Sequence, residues 1–226
     1  MSLLSGKTPS DSDVRELYDR LFAVYGPQNW WPGDGPFDVI VGAILTQNTN
    51  WTNVEKALES LRNGGVWSFG TIERTDRDQL GELIRSSGYF NQKARKLHEF
   101  AALVNNDFHG ELDGLLILPM VELRTRLLGI WGIGEETADD IILYAAGKPS
   151  YVIDTYTRRI VDRLGWHVGG NRYVDYQSLF TERLPDEAPL FNEFHALLDE
   201  HAAGVCRPTP KCEECCLREI CATGQT

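Results

Sequence analysis

Apolar residues recur at intervals of three and four positions through most of this chain. Val14, Leu17 and Leu21 show this spacing within residues 13–25, and it is the period of an amphipathic α-helix. The loop at residues 30–33 should end that first helix, because it contains proline and glycine. The same spacing predicts further helices over 77–86, 91–105, 121–128, 135–146, 155–164, 173–182 and 189–202.

The apolar segment 37–45 is ambiguous when it is read alone, because a buried strand can have the same composition. Its continuation over residues 53–61 returns to the helical spacing, so we predict helices on both sides of residues 47–50. Residues 151–153 are extended at most, and no alternating apolar and polar stretch reaches the length of a strand. The pattern therefore predicts an all-α protein.

The length and composition are those of a globular protein. The chain has 226 residues, of which 42% are apolar, enough for a hydrophobic core in one domain or in two small ones. The longest apolar runs, such as residues 39–45, are too short to cross a bilayer, and residues 1–13 lack the basic and apolar character of a leader. We therefore expect a cytoplasmic protein with no membrane partner.

The net charge of −11 argues against a general nucleic-acid coat protein, because sequence-independent binding uses many Lys and Arg side chains at phosphates. Any contact with nucleic acid must then be local. Three basic groups could make such contacts or could be ordinary solvated helix faces: Lys93, Arg95 and Lys96; Arg124 and Arg126; and Arg158, Arg159 and Arg163.

All five cysteines lie between residues 206 and 221, and this clustering is the strongest local signal in the chain. A disulfide framework is the alternative, but it would normally distribute cysteines over a secreted fold. Several thiolates in one short loop suit a single zinc ion or an iron-sulfur cluster. Only one cysteine pair is closely spaced, which favours a four-iron cluster over a zinc ribbon. The predicted ligands are Cys206, Cys212, Cys215 and Cys221, with Cys216 as an extra thiol.

Residues 128–134 separate two predicted helices and contain Gly132 and Gly134, which permit backbone angles that other residues resist. We predict a tight hairpin whose backbone N–H groups, at the start of the next helix, can hold a phosphate oxygen. A plain helix end and turn would have the same glycines. Farther along, Asp154 follows two apolar residues, and it could simply be the N-cap of the next helix.

Together these motifs resemble one family, the endonuclease III superfamily of helix-hairpin-helix (HhH-GPD) DNA glycosylases, over roughly residues 13–221. The resemblance is carried, in the family's order, by Gly-Ala-Ile-Leu-Thr-Gln-Asn-Thr at 42–49, Ser-Gly-Tyr-Phe-Asn-Gln-Lys-Ala at 87–94, Leu-Gly-Ile-Trp-Gly-Ile-Gly at 128–134 with Thr137-Ala138-Asp139, Val-Ile-Asp-Thr at 152–155, and the four cysteines.

The resemblance implies two helical lobes with a cleft between them. One lobe would be a helical barrel domain over 37–148, with the helix-hairpin-helix at about 121–147. The other would combine 1–36 with 149–226 and would carry the [4Fe-4S] cluster loop at 206–221. The implied partner is double-stranded DNA containing a damaged base, bound by a monomeric, nucleoid-associated enzyme.

The resemblance also assigns roles to single residues. Asp154 becomes the carboxylate that stabilises positive charge on the sugar and orients the attacking water. Gln47 fills the gap that the extruded base leaves in the duplex, and Thr137 belongs to the DNA-binding hairpin. Family members that also cut the strand have a lysine before the Thr-Ala pair, which forms a Schiff base. This chain has Glu136 there, which argues for a monofunctional glycosylase.

Trp30, Trp31 and Trp51 resemble the branch of the superfamily that removes alkylated purines such as 3-methyladenine. A methylated purine is cationic, so indole rings can select it by stacking and cation–π attraction. The same tryptophans could instead be core residues. Rival hypotheses are a bifunctional glycosylase and lyase for oxidised pyrimidines, an adenine-mismatch glycosylase, and a DNA-binding module without catalysis.

Overall fold

The computed structural model describes residues 6–225, and these residues are predominantly helical. No strand occurs within that range; its nearest approach is an isolated β-bridge between Lys7 and Trp166. The all-α prediction is therefore confirmed. The helices are α1 (Asp11–Tyr25), α2 (Pro36–Thr46), α3 (Trp51–Asn63), α4 (Phe69–Arg74), α5 (Arg77–Leu83), α6 (Phe90–Phe108), α7 (Leu112–Leu116), α8 (Met120–Leu128), α9 (Glu135–Asp140), α10 (Thr155–Leu164), α11 (Tyr173–Thr181) and α12 (Ala188–Gly204).

The described residues form two compact units. One consists of Trp31–Lys148, and the other combines the residues up to Trp30 with those from Pro149 onward. Helices α2 to α9 belong to the first, which we call the inner unit because it is continuous in sequence. Helices α1 and α10 to α12 belong to the second, which we call the terminal unit. Among the described helices, none has the length and apolar character that a membrane crossing would require.

The core of the inner unit surrounds α2. Every residue of that helix from Asp38 to Leu45 is buried, which explains why the segment has the composition of a buried strand. Proline in the first turn, at Pro36, suits the start of a helix because its missing N–H would have no helical partner there. Apolar side chains of α3, α6, α8 and α9 complete the core, among them Val54, Ala57, Leu97, Phe100, Leu123, Leu127 and Ala138.

The terminal unit has an aromatic core. Tyr151 stacks on Phe180 with ring centroids 4.2 Å apart, and its ring lies edge-on to Phe191 and Phe194. Tyr151 belongs to the segment 151–153, which lies outside the helices and is buried. This short buried segment leads directly into Asp154, so the packing of Tyr151 restrains the position of that carboxylate.

The structure differs from the sequence prediction in the short elements. Helices α4 and α7 were not predicted, because five or six residues do not complete two turns and show no clear periodicity. The predicted helix 135–146 ends as an α-helix at Asp140 and continues as a π-helical turn over Ile141–Ala145. Such turns are frequent at functional sites, and this one carries Tyr144.

Candidate functional site

Asp154 caps α10. Its Oδ1 accepts a hydrogen bond from the backbone N–H of Thr157 at 2.7 Å. The N-cap role considered from the sequence is therefore present. The cap uses one carboxylate oxygen and fixes the direction of the group, so the second oxygen remains available for a further contact.

Two side chains of α12 approach this carboxylate. One ligand atom from each of Asp154, His195 and Asp199 lies within 4.8 Å of the other two. His195 is buried, and burial lowers its pKa, although the charge of Asp154 raises it in part. An imidazole and two carboxylates at this spacing can share a proton or hold a divalent cation. All three residues belong to the terminal unit.

Sequence reasoning missed His195 and Asp199. They stand four residues apart on α12, and this spacing places two side chains on one helix face. A histidine and an aspartate four residues apart, among the buried apolar positions of α12, were the available signal. Their distance from Asp154 depends on how α10 packs against α12, which periodicity alone does not give.

Gln47 directly follows α2 as its C-cap residue, and both polar atoms of its side-chain amide make hydrogen bonds. Its Nε2 donates to Thr137 Oγ1 at 2.8 Å, and its Oε1 accepts a hydrogen bond from Lys96 Nζ. Burial lowers the pKa of Lys96. The structure thus brings together two predicted site residues, Gln47 and Thr137, and adds a lysine that the sequence reasoning did not connect with them.

The hairpin between α8 and α9 requires one of its two predicted glycines. Gly132 has φ +81°, and a Cβ there would lie 2.5 Å from Lys96 Cε. Gly134 is different: its backbone is extended, with φ −94°, and a Cβ would meet no atom within 4 Å. The expectation that Gly134 needs an unusual backbone is wrong, whereas Gly132 allows the Lys96 side chain to cross the hairpin towards Gln47.

The acidic residues after the hairpin are partly neutralised. Arg124 makes two hydrogen bonds to the buried carboxylate of Asp139, at 2.9 and 3.1 Å, and lies 3.6 Å from Glu135. Glu136 is exposed at the position where the strand-cutting pattern has lysine. The negative charge beside the hairpin is therefore lower than the sequence suggests.

An aromatic cluster lies beside α2. The rings of Trp31 and Trp51 meet edge-on with centroids 5.2 Å apart, and Tyr144 lies 5.2 Å from Trp31. Gly42 permits this packing, since a Cβ there would lie 3.2 Å from the Trp31 ring. All three rings are only partly buried. Trp30 belongs to the terminal unit, and Tyr144 was not predicted as a member.

Four cysteines line one small cavity in the terminal unit: Cys206, Cys212, Cys215 and Cys221. They are the four that the sequence predicts as ligands, and Cys216 is not among the lining residues. No disulfide joins any of the five. Arg163 donates from Nη1 to Cys206 Sγ at 3.2 Å. Four thiols around one cavity, with a cationic donor to one sulfur, fit an anionic iron-sulfur cluster.

The basic residues considered as DNA contacts mostly serve the fold. Lys93 is only 2% exposed and donates to the carbonyls of Leu45 and Ser87. The suggestion that Lys93 contacts DNA at the surface is therefore wrong. Arg95 lies over the Trp131 ring. Three further arginines also have partners within the protein. Arg126 pairs with Asp107, Arg158 lies over the Tyr176 ring, and Arg159 donates to the Cys206 carbonyl.

Residues 41–186 match the model of the HhH-GPD superfamily of base excision DNA repair proteins. This match covers more than half of the chain and includes Gln47, the hairpin and Asp154. The chain therefore belongs to the HhH-GPD superfamily, and its general enzyme class is DNA glycosylase.

Three similar proteins illustrate the range within that class. "Putative DNA repair glycosylase MJ1434" of Methanocaldococcus jannaschii is 39% identical over 92% of this chain and 95% of its own length. Endonuclease III of Thermotoga maritima is 28% identical over 92% and 90%. The crystal structure of the H. pylori 3-methyladenine DNA glycosylase MagIII bound to 1,N6-ethenoadenine superposes with a TM-score of 0.74 at 27% identity, covering 86% of this chain and 98% of MagIII.

Proposed function

We propose that this protein excises an alkylated purine from double-stranded DNA by hydrolysing the N-glycosidic bond, and that the reaction ends at an abasic site. The observation that carries the proposal is the position of Asp154. Its carboxylate is fixed by the backbone of α10 and lies close to a buried imidazole and a second carboxylate. Titratable groups gathered this closely around a buried side chain are typical of catalytic sites.

The chemistry assigned to Asp154 is electrostatic. Breaking the bond between base and sugar develops positive charge on the sugar, which a fixed carboxylate stabilises more effectively than mobile water can. The same group can orient a water molecule and accept its proton. His195 and Asp199, which approach Asp154 from α12, would hold its carboxylate in one orientation.

Gln47 and the hairpin would bind the DNA around the extruded base. Extruding a base costs a few kcal/mol, and a polar side chain that enters the vacated space can offset part of that cost. The bonds to Thr137 and Lys96 hold Gln47 ready for this role. Backbone N–H groups around Gly132 would contact a phosphate without regard to sequence.

The aromatic cluster supports the choice of an alkylated purine. Trp31, Trp51 and Tyr144 offer partly exposed rings, which favour a cationic or extended purine over an ordinary base. The H. pylori relative, whose structure contains 1,N6-ethenoadenine, is consistent with this choice. We include Trp30 because it adjoins Trp31 in sequence.

The cysteine cavity would hold a [4Fe-4S] cluster through Cys206, Cys212, Cys215 and Cys221. Such a cluster ties its ligand segments together and carries charge that the surrounding protein must balance. Arg163 supplies part of that balance, since it donates to the sulfur of Cys206 and to the Cys206, Arg207 and Pro208 carbonyls.

A second candidate function is combined glycosylase and lyase activity. Lys96 favours it, because burial lowers its pKa and a neutral amine is the form that attacks a sugar aldehyde. The similarity to Endonuclease III of Thermotoga maritima also favours strand cleavage, because an endonuclease cuts the strand. Against it stands Glu136, which cannot form a Schiff base.

One experiment separates these functions. Duplexes that contain single alkylated purines, oxidised pyrimidines or adenine mismatches are incubated with the enzyme, and the products are divided between direct analysis and hot alkali. We expect cleavage of the alkylpurine duplex only after alkali, and no covalent complex after borohydride reduction. If borohydride traps a covalent complex with the wild type, and Lys96→Met abolishes that complex, the lyase function would be established instead. No excision of any lesion would favour the non-catalytic module.

A further inference from the structure

His201 is fully buried and contacts the segment that contains the cysteines. It belongs to α12, four residues before the helix meets Val205. Its ring Nε2 lies 3.5 Å from Cys215 Sγ, and its Nδ1 lies 2.9 Å from the hydroxyl of Tyr25. Its backbone carbonyl also accepts from the N–H of Cys206 at 2.8 Å. One residue thus contacts two of the four proposed ligands.

The two ring contacts determine the position of the imidazole proton. A hydroxyl can donate or accept a hydrogen bond, whereas the sulfur of a thiolate can only accept one. The Tyr25 hydroxyl can donate to the lone pair on Nδ1, which leaves Nε2 as the protonated nitrogen. That N–H then faces the sulfur of Cys215. The reverse tautomer could still donate from Nδ1 to the Tyr25 hydroxyl oxygen, but it would place a lone pair against a thiolate and lose the hydrogen bond to the sulfur.

We propose that Tyr25 and His201 form a hydrogen-bond relay to Cys215 that raises the reduction potential of the iron-sulfur cluster and protects it from loss. The inference rests on the cluster assigned under the proposed function. An N–H donor withdraws electron density from the sulfur, which favours the more reduced cluster, and hydrogen bonds to the sulfurs are a known determinant of such potentials. Partners behind a metal ligand also fix its orientation.

Tyr25→Phe is the principal test, because it removes one oxygen and leaves the ring that packs edge-on to His201. Without the hydroxyl, the imidazole has no donor that fixes its tautomer. We expect a more negative midpoint potential in protein-film voltammetry, and roughly tenfold faster bleaching of the 400 nm absorption by an iron chelator. Tyr18→Phe is the matched control, since Tyr18 also lies on α1 but packs against Phe22 and Phe194.

His201→Gln and His201→Leu separate the hydrogen bond from simple packing. The glutamine amide can still donate to Cys215, so its potential should lie closer to that of the wild type than the potential of the leucine variant. Iron content is measured first in every variant. A wild type without iron would overturn the cluster itself. Iron-loaded Tyr25→Phe and His201→Leu proteins with unchanged potential and bleaching would overturn the relay and leave the cluster intact.

Discussion

At the scale of single residues, Asp154 combines a structural and a proposed chemical role, and one substitution separates them. Asparagine caps helices as well as aspartate does, so Asp154→Asn should keep the bond to Thr157 and the stability of α10. It removes the charge that the reaction needs. We expect base excision at least about a hundredfold slower, with DNA affinity within several-fold of the wild type, measured by single-turnover assays and titration of lesion duplex.

Asp154→Ala provides the comparison for stability. It loses both the charge and the cap, and should lower the free energy of unfolding by about 1 kcal/mol. If Asp154→Asn excised the base at a near-normal rate, Asp154 would be only a helix cap.

The hairpin offers a second prediction at this scale, because its two glycines differ. Gly132→Ala forces a Cβ onto a residue with φ +81° and against the Lys96 side chain, so we expect a loss of about 1–2 kcal/mol in denaturant unfolding. Gly134→Ala meets open space at an ordinary backbone angle. It should stay within about 0.5 kcal/mol of the wild type. Equal losses would show that the hairpin does not have this geometry.

Residue types and spacing revealed some of these features and not others. The cysteines, Gly132 and Asp154 stand in short motifs whose chemistry is local, so the sequence was sufficient to select them. His195, Asp199, Lys96 and Tyr144 act on partners that are distant in the chain. Only tertiary packing brings them there, and a single helical period carries no information about it.

At the scale of elements, the long helices were predicted and the short ones were not. Helix α6 spans Phe90–Phe108 and buries six side chains, so its pattern repeats over five turns. Helices α4 and α7 are too short to repeat. The π-helical turn at Ile141–Ala145 lies in a stretch that the pattern predicts as one continuous helix. Its first three residues are apolar and buried in succession, so the apolar positions do not mark where the hydrogen bonding changes.

The cysteine loop supplies a prediction at this scale. Cys212→Ser should lose iron and destabilise the terminal unit, because ligation joins the end of α12 to the loop that follows it. Cys216→Ser is the matched control, since Cys216 does not line the cavity. It should keep about four irons per chain and the 400 nm absorption. Iron retained in Cys212→Ser would remove Cys212 from the ligand set, and stoichiometric zinc in the wild type would replace the cluster.

At the scale of the whole molecule, net charge limits the electrostatic contribution to DNA binding. The chain carries a net charge of −11, and many of the basic residues suggested by the sequence have internal partners. Arg124 binds Asp139, Arg163 holds the cysteine loop and Lys93 is buried. Long-range electrostatic attraction to DNA is therefore weak, and under the proposed function affinity for a lesion would come from the extruded base and a few phosphate contacts.

This reasoning predicts a weak salt dependence. Each phosphate neutralised by a cation contributes about −0.9 to the slope of log affinity against log salt, and screening of the acidic surface at higher salt opposes that slope. We expect a value shallower than about −4 for a lesion duplex, measured by fluorescence anisotropy with the Asp154→Asn variant so that no base is excised during titration. An undamaged duplex of the same length is the control and should bind much more weakly at every salt concentration. A slope near −8 would mean that about nine phosphates are neutralised, and DNA binding would then depend on a basic surface rather than on the base pocket.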